Sequence, residues 1–250
     1  MDQVQIIILA AGRSTRMKSE EPKALALYKG KYFLQHILDI AAGLGLINKP
    51  IIVVGYKKEK VVETFGPDYI YAEQKEQKGT GHAVASAVHL LKKDASITLI
   101  LFTDQIAISH ETIQKILTTH LEKKPILTMA TIVVPDYKDW RVSMNHFGRI
   151  IRDTAGEVSK IVEFKDASEE ERLVKEVNPS LYAFDTNWLI ENIDKLKNEN
   201  AQGEYYLTDL IMMAHDQKKK IEIVPITDIR EGIHPNSKEE LEILERLSVE

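Results

Sequence analysis

The first apolar run of the chain reads Gln5-Ile6-Ile7-Ile8-Leu9-Ala10-Ala11-Gly12. Its short, uninterrupted series of Ile and Leu side chains is typical of a β-strand that is buried on both faces of a sheet. The small residues at its end indicate a loop in which the backbone leaves the sheet. Because parallel strands are covered by helices on both faces, this stretch predicts an α/β fold.

Strand-like and helix-like segments alternate along the first half of the chain. The predicted strands are residues 5–9, 51–54, 69–72 and 97–102, and the predicted helices are 33–44, 57–65 and 81–91. This alternation predicts a doubly wound, mostly parallel, Rossmann-like sheet. Ligands of such sheets bind beyond the carboxyl ends of the strands, so residues 12–23 and Asp104 are expected to share one crevice.

The pattern changes after Pro135, where a smaller inserted lobe is predicted. Residues 148–152 and 158–163 flank Gly156 as the two strands of a hairpin do. Further predicted elements are strands at 176–184 and 221–225 and amphipathic helices at 186–197, 208–218 and 238–247. We interpret residues 1–250 as a single domain with two halves, 1–134 and 135–250.

Composition excludes several classes of protein. The 250 residues include 33 Lys plus Arg and 38 Asp plus Glu, and a net charge of -5 argues against a nucleic-acid partner. The absence of cysteine excludes disulfides and thiolate metal sites. No apolar run approaches the ~18 residues of a membrane span, and the N-terminus lacks a basic segment before its apolar run, so we expect a cytoplasmic protein without a membrane partner.

A cluster of small residues, hydroxyls and cations follows the first predicted strand, from Leu9 to Lys23. Small residues let the backbone approach a phosphate, loop N–H groups can hold an anion, and Arg16 and Lys23 add positive charge. The pattern indicates a polyphosphate site, although a glycine-containing turn with ordinary surface cations is the alternative. The spacing does not match a Walker loop.

Two other polar segments suit a nucleotide. Residues 74–83, QKEQKGTGHA, carry amide side chains and glycines that can reach the edge of a base; the alternative is a polar loop that caps a helix. Asp104 ends a predicted buried strand, where its carboxylate can hold magnesium against phosphates. A helix cap is the alternative for Asp104.

Residues 9–23 resemble the LAAGxGTRMxSxxPK signature of the sugar nucleotidyltransferases, and residues 74–83 resemble the QxEQxGTGHA segment of the N-acetylglucosamine-1-phosphate uridyltransferases. The similarity continues in order through residues 148–150, 161–167, 176–178 and 200–209. Members with two activities carry a C-terminal acetyltransferase domain of hexapeptide repeats. This sequence has no such repeat, so acetyl transfer is not expected.

The resemblance implies that UTP and a sugar 1-phosphate, most closely N-acetylglucosamine 1-phosphate, react to give a UDP-sugar and pyrophosphate. It implies that Arg16 and Lys23 are catalytic cations and that Asp104 binds Mg²⁺. It assigns 1–134 to the nucleotide and 135–250 to the sugar and the C-terminal helices. The implied nucleotide contacts are Leu9, Ala10, Ala11, Gly12, Gln74, Gln77, Gly79 and Thr80, and the implied sugar-phosphate contacts are Gly148, Glu163, Asn178, Tyr206 and Thr208.

The chain departs from the family pattern at three places. Residues 102–107, FTDQIA, stand where the family has Tyr-Gly-Asp followed by Pro-Leu, so Thr103 replaces a glycine near the nucleotide. Asn178-Pro179-Ser180 replaces Asn-Thr-Gly. The family's metal-binding Gly-Val-Asn is replaced by residues 232–237, GIHPNS, where Asn236 is the favoured second metal ligand and His234 the alternative, because magnesium prefers oxygen.

These departures leave two other functions open. One is nucleotide transfer to a different sugar phosphate or polyol phosphate. The other is a catalytically weak, regulatory protein that binds a nucleotide sugar. Magnesium-dependent release of pyrophosphate distinguishes them, because a protein that only binds is stabilised by its ligand without turnover.

Overall fold

Strand β1, Val4–Leu9, lies inside a ten-stranded sheet and is buried along its whole length. The computed structural model describes residues 3–13, 17 and 19–247. The other strands are β2 Leu27–Tyr28, β3 Lys31–Tyr32, β4 Ile51–Val54, β5 Ile70–Glu73, β6 Ile97–Phe102, β7 Leu127–Val133, β8 Arg149–Arg152, β9 Val158–Val162, β10 Glu176–Val177, β11 Tyr182–Asp185 and β12 Ile221–Pro225. The α-helices are α1 Phe33–Gly43, α2 Lys58–Phe65, α3 Thr80–Ala85, α4 His110–Lys123, α5 Glu169–Arg172, α6 Thr186–Ile193, α7 Asp209–Asp216 and α8 Lys238–Leu247.

The strand order of the large sheet is β5-β4-β1-β6-β11-β7-β10-β8-β9, and β12 pairs with the other edge of β7. Strands β9, β10 and β11 run antiparallel to the rest. The strands β5, β4, β1 and β6 form a parallel block whose carboxyl ends point to one edge. The predicted fold class, a mostly parallel and Rossmann-like sheet, is confirmed.

Apolar side chains of β1 alternate between two cores. Ile6 and Ile8 pack with α1 and α4 on one face, whereas Ile7 and Leu9 pack with α3, α6 and α7 on the other. Successive side chains of a strand point to opposite faces, so a strand that is apolar at every position requires helices on both sides. The layered architecture therefore follows from the first apolar run of the sequence.

Two predicted elements are interrupted in the structure. The helix predicted over 81–91 ends at Ala85 and resumes as a 3₁₀ turn at Val88–Leu90. The Ser86 hydroxyl donates to the carbonyl of His82, which competes with regular helical bonding. The strand predicted over 176–184 is divided into β10 and β11, which both run antiparallel to β7 on either side of a turn at residues 178–181.

Helix α4 and strand β7 have no counterpart in the sequence prediction. Ser109 caps α4 by accepting the N–H of Thr112, and the first residues of β7 pair with β11 on one edge and β12 on the other. The Ser109 cap and the apolar spacing that follows it are sequence signals for this helix. Within the described ranges, no helix has both the length and the apolar character that a membrane crossing requires.

Candidate active site

The loop after β1 brings a lysine back to the end of the strand. Arg13 forms an isolated antiparallel bridge with Pro22, and the N–H of Lys23 donates to the carbonyl of Gly12 at 3.2 Å. Lys23 then opens a short 3₁₀ turn. Its position is fixed by the closed base of the loop, whereas the predicted catalytic residue Arg16 lies outside the described residues.

The ammonium of Lys23 meets two oxygen atoms from distant parts of the chain. Its Nζ donates to Asp104 Oδ2 at 2.5 Å and also to Asn236 Oδ1. The Lys23 and Asp104 side chains are only 13% and 19% exposed. We call Lys23, Asp104 and Asn236 the cation cluster.

The charges within this cluster determine the pKa of Asp104. Burial alone would raise the pKa of the Asp104 carboxyl, but the charge of Lys23 and its hydrogen bond outweigh burial, and the pKa lies below its usual value. At neutral pH, Asp104 is therefore an ionised carboxylate paired with the ammonium of Lys23.

The backbone around His234 orients Asn236. The Asn236 Nδ2 donates to the carbonyl of His234 at 2.7 Å, which leaves its Oδ1 directed to Lys23. The imidazole of His234 packs against Phe147 with ring centroids 5.1 Å apart. Its Nε2 is shielded from solvent without a hydrogen-bond partner among the described residues, and burial lowers its pKa.

The oxygen atoms of Asp104 and Asn236 fit a divalent cation. They already converge on one positive group, and magnesium is commonly held by one or two protein oxygens together with substrate phosphates and water. In the described part of the chain, no group of three or more His, Asp or Glu side chains could enclose a metal ion. This pair therefore suits a cation that is shared with a phosphorylated ligand.

A cleft of about 250 Å³ opens beside the cation cluster at the carboxyl ends of β1 and β6. It is lined by Leu9, Ala11, Gly12, Lys23, Gln74, Gln77, Gly79, Thr80, Ala83, Phe102, Thr103, Asp104 and Glu204. The predicted nucleotide residues are thus brought together except for Ala10, which packs into the core on the opposite face of the sheet. The side chain of Ala10 faces that core because successive side chains of an extended chain alternate in direction.

The two predicted base-binding amides are held by backbone contacts. The Nε2 of Gln74 donates to the carbonyl of Gly79 at 3.0 Å, so its Oε1 is on the other side of the amide group. The Nε2 of Gln77 donates to the carbonyl of Gln74. Gly55 permits this arrangement, because a Cβ at that residue would lie 2.8 Å from Gln77 Nε2 and 2.9 Å from Ala11 Cβ.

The glycines at 79 and 81 also serve a tertiary contact. The N–H of Gly81 donates to the carbonyl of Tyr205 at 2.8 Å, and the Thr80 hydroxyl accepts the N–H of Leu207 at 3.0 Å. Gly79 has φ +103°, and a Cβ on it would lie 2.6 Å from the carbonyl oxygen of Tyr205. This segment therefore joins the first half of the chain, residues 1–134, to the second half, residues 135–250.

Most of the predicted sugar-phosphate residues form a second group. Thr208 Oγ1 donates to Glu163 Oε1 at 3.0 Å, and a Cβ on Gly148 would lie 3.5 Å from the same oxygen. The N–H of Asn178 donates to the carbonyl of Gly148 at 2.9 Å. Burial raises the pKa of Glu163, and nearby acids, including Asp209, raise it further.

Tyr206 contacts residues that the sequence analysis had not selected. Its hydroxyl donates to Asp166 Oδ2 at 3.2 Å and accepts from Gln202 at 2.9 Å, and burial raises its pKa to about 12. Asp166 and Glu204 were not predicted as site residues, although both lie in segments that carry the family resemblance. Position within those motifs is the sequence signal that could have identified them.

Comparisons with known proteins identify the family of this chain. The family model of the MobA-like NTP transferase domain matches residues 6–204. The bifunctional protein GlmU of Brevibacillus brevis is 37% identical over 241 residues, 96% of this chain and 50% of that protein. GlmU of Geobacillus sp. strain WCH70 is 40% identical over 241 residues, 96% of this chain and 51% of that protein. The chain thus spans about half the length of the curated relatives that it matches.

Two solved structures share the fold. A UDP-glucose pyrophosphorylase complexed with UDP-glucose superposes with a TM-score of 0.74, at 17% identity, over 99% of this chain and 100% of that one. The 4-diphosphocytidyl-2C-methyl-D-erythritol synthase of Anaerococcus prevotii superposes with a TM-score of 0.67, at 15% identity, over 100% of this chain and 97% of that one. These structures show the fold, and the family resemblance in the sequence is confirmed by the family model and the GlmU relatives.

Proposed function

Because the chain belongs to the MobA-like NTP transferase domain family and is a nucleotidyltransferase, we propose that it forms UDP-N-acetylglucosamine from UTP and N-acetylglucosamine 1-phosphate. Pyrophosphate is the second product. The similarity to GlmU proteins over 96% of this chain supports the choice of sugar and of nucleotide. Mg²⁺ is the proposed cofactor.

The observation that carries the proposal is the convergence of Lys23, Asp104 and Asn236 beside the cleft. Lys23 and Asp104 line the cleft that contains the amides of Gln74 and Gln77. Glu163 and Thr208 form a hydrogen-bonded pair on the other half of the chain. A nucleoside triphosphate in the cleft would have its phosphates near Lys23, and a sugar phosphate would be held by the pair of Glu163 and Thr208.

The proposed reaction needs positioning and neutralisation of charge. A phosphate oxygen of the sugar 1-phosphate attacks the α-phosphorus of UTP in line, a new P–O bond forms, and the bond to the leaving pyrophosphate breaks. Lys23, with Arg16 as its predicted partner, would neutralise the charge on the reacting phosphates. When bound, Mg²⁺ held by Asp104 and Asn236 supplies further positive charge at the phosphate oxygens.

We propose that the neutral amides in the cleft select the base and that an acidic group in the second half of the chain selects the sugar. The amides of Gln74 and Gln77 can accept from and donate to the edge of uracil. The backbone at Gly79 and Thr80 lines the same cleft. Glu163, with its Thr208 partner, can accept hydrogen bonds from sugar hydroxyls, while Gly148, Asn178 and Tyr206 complete the proposed sugar contacts.

A different sugar phosphate or a polyol phosphate is the second candidate acceptor. The observation in its favour is the turn beside Asn178, where Ser180 adopts φ +58° in place of the family's glycine. A Cβ and a hydroxyl at this turn, together with the ring of Pro179, change the space available beside the proposed sugar site. Thr103 does not contribute to this change beside the sugar site. It lines the cleft next to the cation cluster, where its hydroxyl donates to the carbonyl of Leu9.

The deciding experiment measures pyrophosphate release with Mg²⁺, UTP and N-acetylglucosamine 1-phosphate, beside panels of other triphosphates and sugar or polyol phosphates. Preferred turnover of the named pair supports the proposal, and preference for another acceptor supports the second candidate. UTP binding without turnover of any pair would favour a regulatory binding protein. Lys23→Ala should abolish most turnover, whereas Lys31→Ala, which removes an exposed lysine paired with Asp39, is the matched control.

A further inference from the structure

Gln105 is fully buried beside the cation cluster, with 0% of its surface exposed. Its Oε1 accepts the N–H of Phe102 at 2.8 Å, and its Nε2 donates to the carbonyls of Pro179 and Ser180, each at 2.9 Å. One N–H donor and two carbonyl acceptors fix the orientation of the amide, because the reversed orientation would face carbonyl oxygens with an oxygen. Among the described residues, the hydrogen bonds of this side chain are therefore all with main-chain atoms.

The turn that Gln105 holds is the one that divides the antiparallel strand between β10 and β11. Ser180 has φ +58° there, and Pro179 has no N–H to contribute to a hydrogen bond. Asn178 Oδ1 accepts the N–H of Ser180 at 3.0 Å, and Asn178 Nδ2 donates to the hydroxyl of Tyr182 at 2.6 Å. The turn thus presents two carbonyls to the interior, and Gln105 satisfies both.

Gln105 connects the two halves of the proposed site. It directly follows Asp104 of the cation cluster, and its acceptor contact secures Phe102, which lines the cleft. Its donor contacts secure the turn that begins at Asn178, next to Gly148. Two of the three departures from the family sequence, residues 102–107 and 178–180, therefore meet at this one side chain.

We propose that Gln105 is a positioning residue that sets the sugar-phosphate side of the site relative to the cation cluster. The inference rests on the proposed function for the identity of the two sides. Loss of its two donors leaves the carbonyls of Pro179 and Ser180 buried without partners, so the turn must shift to reach water. The shift moves Asn178, whereas Gln74 and Gln77 keep their own backbone contacts.

The test compares two substitutions of the same chemistry. Gln105→Met keeps the approximate volume of the side chain and removes all three hydrogen bonds. Gln5→Met is the matched control, because Gln5 is also 0% exposed, accepts the N–H of Lys92 at 2.8 Å and donates to the carbonyl of Lys49. We expect Gln105→Met to raise the KM for the sugar 1-phosphate about tenfold and to change the KM for UTP less than about twofold, with neither affected by Gln5→Met.

A second measurement uses the unaltered protein and so does not depend on the folding of a variant. Addition of the sugar 1-phosphate should slow hydrogen exchange of the Phe102 amide several-fold, because binding at the turn is transmitted through Gln105. The Lys92 amide, held in the same way by Gln5, should not change. Residue-resolved NMR measures both amides in one experiment.

Three results would overturn the inference. One is an equal increase of both KM values in Gln105→Met, and another is the same selective increase in Gln5→Met. The third is an unchanged Phe102 exchange rate at saturating sugar 1-phosphate. Absence of wild-type turnover with every substrate pair contradicts the proposed function and this inference together, whereas normal wild-type turnover with any of the three results contradicts this inference alone.

Discussion

Lys23→Ala should have opposite effects on the binding of a divalent cation and of a nucleotide. In the structure the Lys23 ammonium donates to Asp104 and Asn236, the two oxygen ligands proposed for the metal ion. A divalent cation that binds both oxygens must first displace this ammonium. Removal of Lys23 should therefore strengthen cation binding in the absence of nucleotide and weaken the binding of UTP.

The size of the effect follows from the contact with Asp104. Two unit charges 2.5 Å apart attract by about 7 kcal/mol at an effective dielectric constant of about 20, and desolvation of both groups offsets most of that attraction. The net contribution of a charge-assisted hydrogen bond is about 1.5–3 kcal/mol. Lys23→Ala should consequently bind the cation about 10- to 150-fold more tightly than the wild type.

The assay is calorimetric titration with Mn²⁺ as the probe, without and with UTP. Thermal unfolding in parallel should show that Lys23→Ala is less stable without metal, because Asp104 then loses its ammonium partner, and that Mn²⁺ raises its Tm more than that of the wild type. Lys31→Ala makes the same change in net charge at an exposed ion pair and should leave Mn²⁺ affinity unchanged. An Mn²⁺ affinity of Lys23→Ala equal to or below the wild-type value would refute the reasoning.

Three other substitutions test a tight glycine contact, a buried histidine and a half-buried aspartate. Gly79→Ala should lower the free energy of unfolding in urea by about 2 kcal/mol and weaken UTP binding, because its φ is +103° and the new Cβ would crowd the carbonyl of Tyr205. Burial lowers the pKa of His120 from 6.5 to about 4, so wild-type stability should fall by up to about 3 kcal/mol between pH 6.5 and 4, and His120→Gln should lack this loss in pH-dependent urea unfolding. Burial and then Asp166 raise the pKa of Asp209 from 3.8 to about 6, so wild-type stability falls as the pH rises through that range; Asp209→Asn should be more stable by about 1–2 kcal/mol above pH 7 in thermal unfolding.

Each of these outcomes has a control and a contradicting result. Gly66→Ala is the control for Gly79→Ala, since Gly66 also has a positive φ, at +81°, but a Cβ on it meets no atom within 4 Å and it does not line the cleft. A parallel loss of stability with acid in wild type and His120→Gln would contradict a neutral buried imidazole. For Asp209→Asn, a stability gain at pH 4 as large as at pH 8 would show that the carboxylate charge is not the cause.

The sequence predicted the layered architecture of the fold but not the elements that depend on tertiary pairing. The first apolar run and the alternation after it predicted the parallel block, because a strand that is buried on both faces needs an apolar side chain at nearly every position. The break that divides the strand predicted over residues 176–184 into β10 and β11 was not predicted. Residues 178–181 read as part of a strand, and the turn depends on Gln105, which is distant in sequence and satisfies the carbonyls of Pro179 and Ser180.

The candidate site shows the same division. Short motifs specify local chemistry, so Lys23, Asp104 and the amides of residues 74–77 could be selected from residue types and spacing. The motif alone does not show that the side chain of Ala10 points away from those of Leu9 and Ala11. The alternation of side chains along the strand places it in the core on the opposite face of the sheet. The sequence could not show that Asn236 reaches Lys23 across the fold, and its preference over His234 as a metal ligand stays a prediction.

By itself, the sequence determined the fold class, the family and the residue types that can meet phosphate, base and sugar. These properties are local, because periodic burial and contiguous motifs depend on residues that are close together in the sequence. The tertiary structure alone decided that Lys23 bonds to Asp104 and Asn236 and that Gln105 joins the end of β6 to the turn at Asn178. Such contacts depend on how strands are paired and where loops end in space, and residues 74 to 213 positions apart carry no common local pattern that would reveal them.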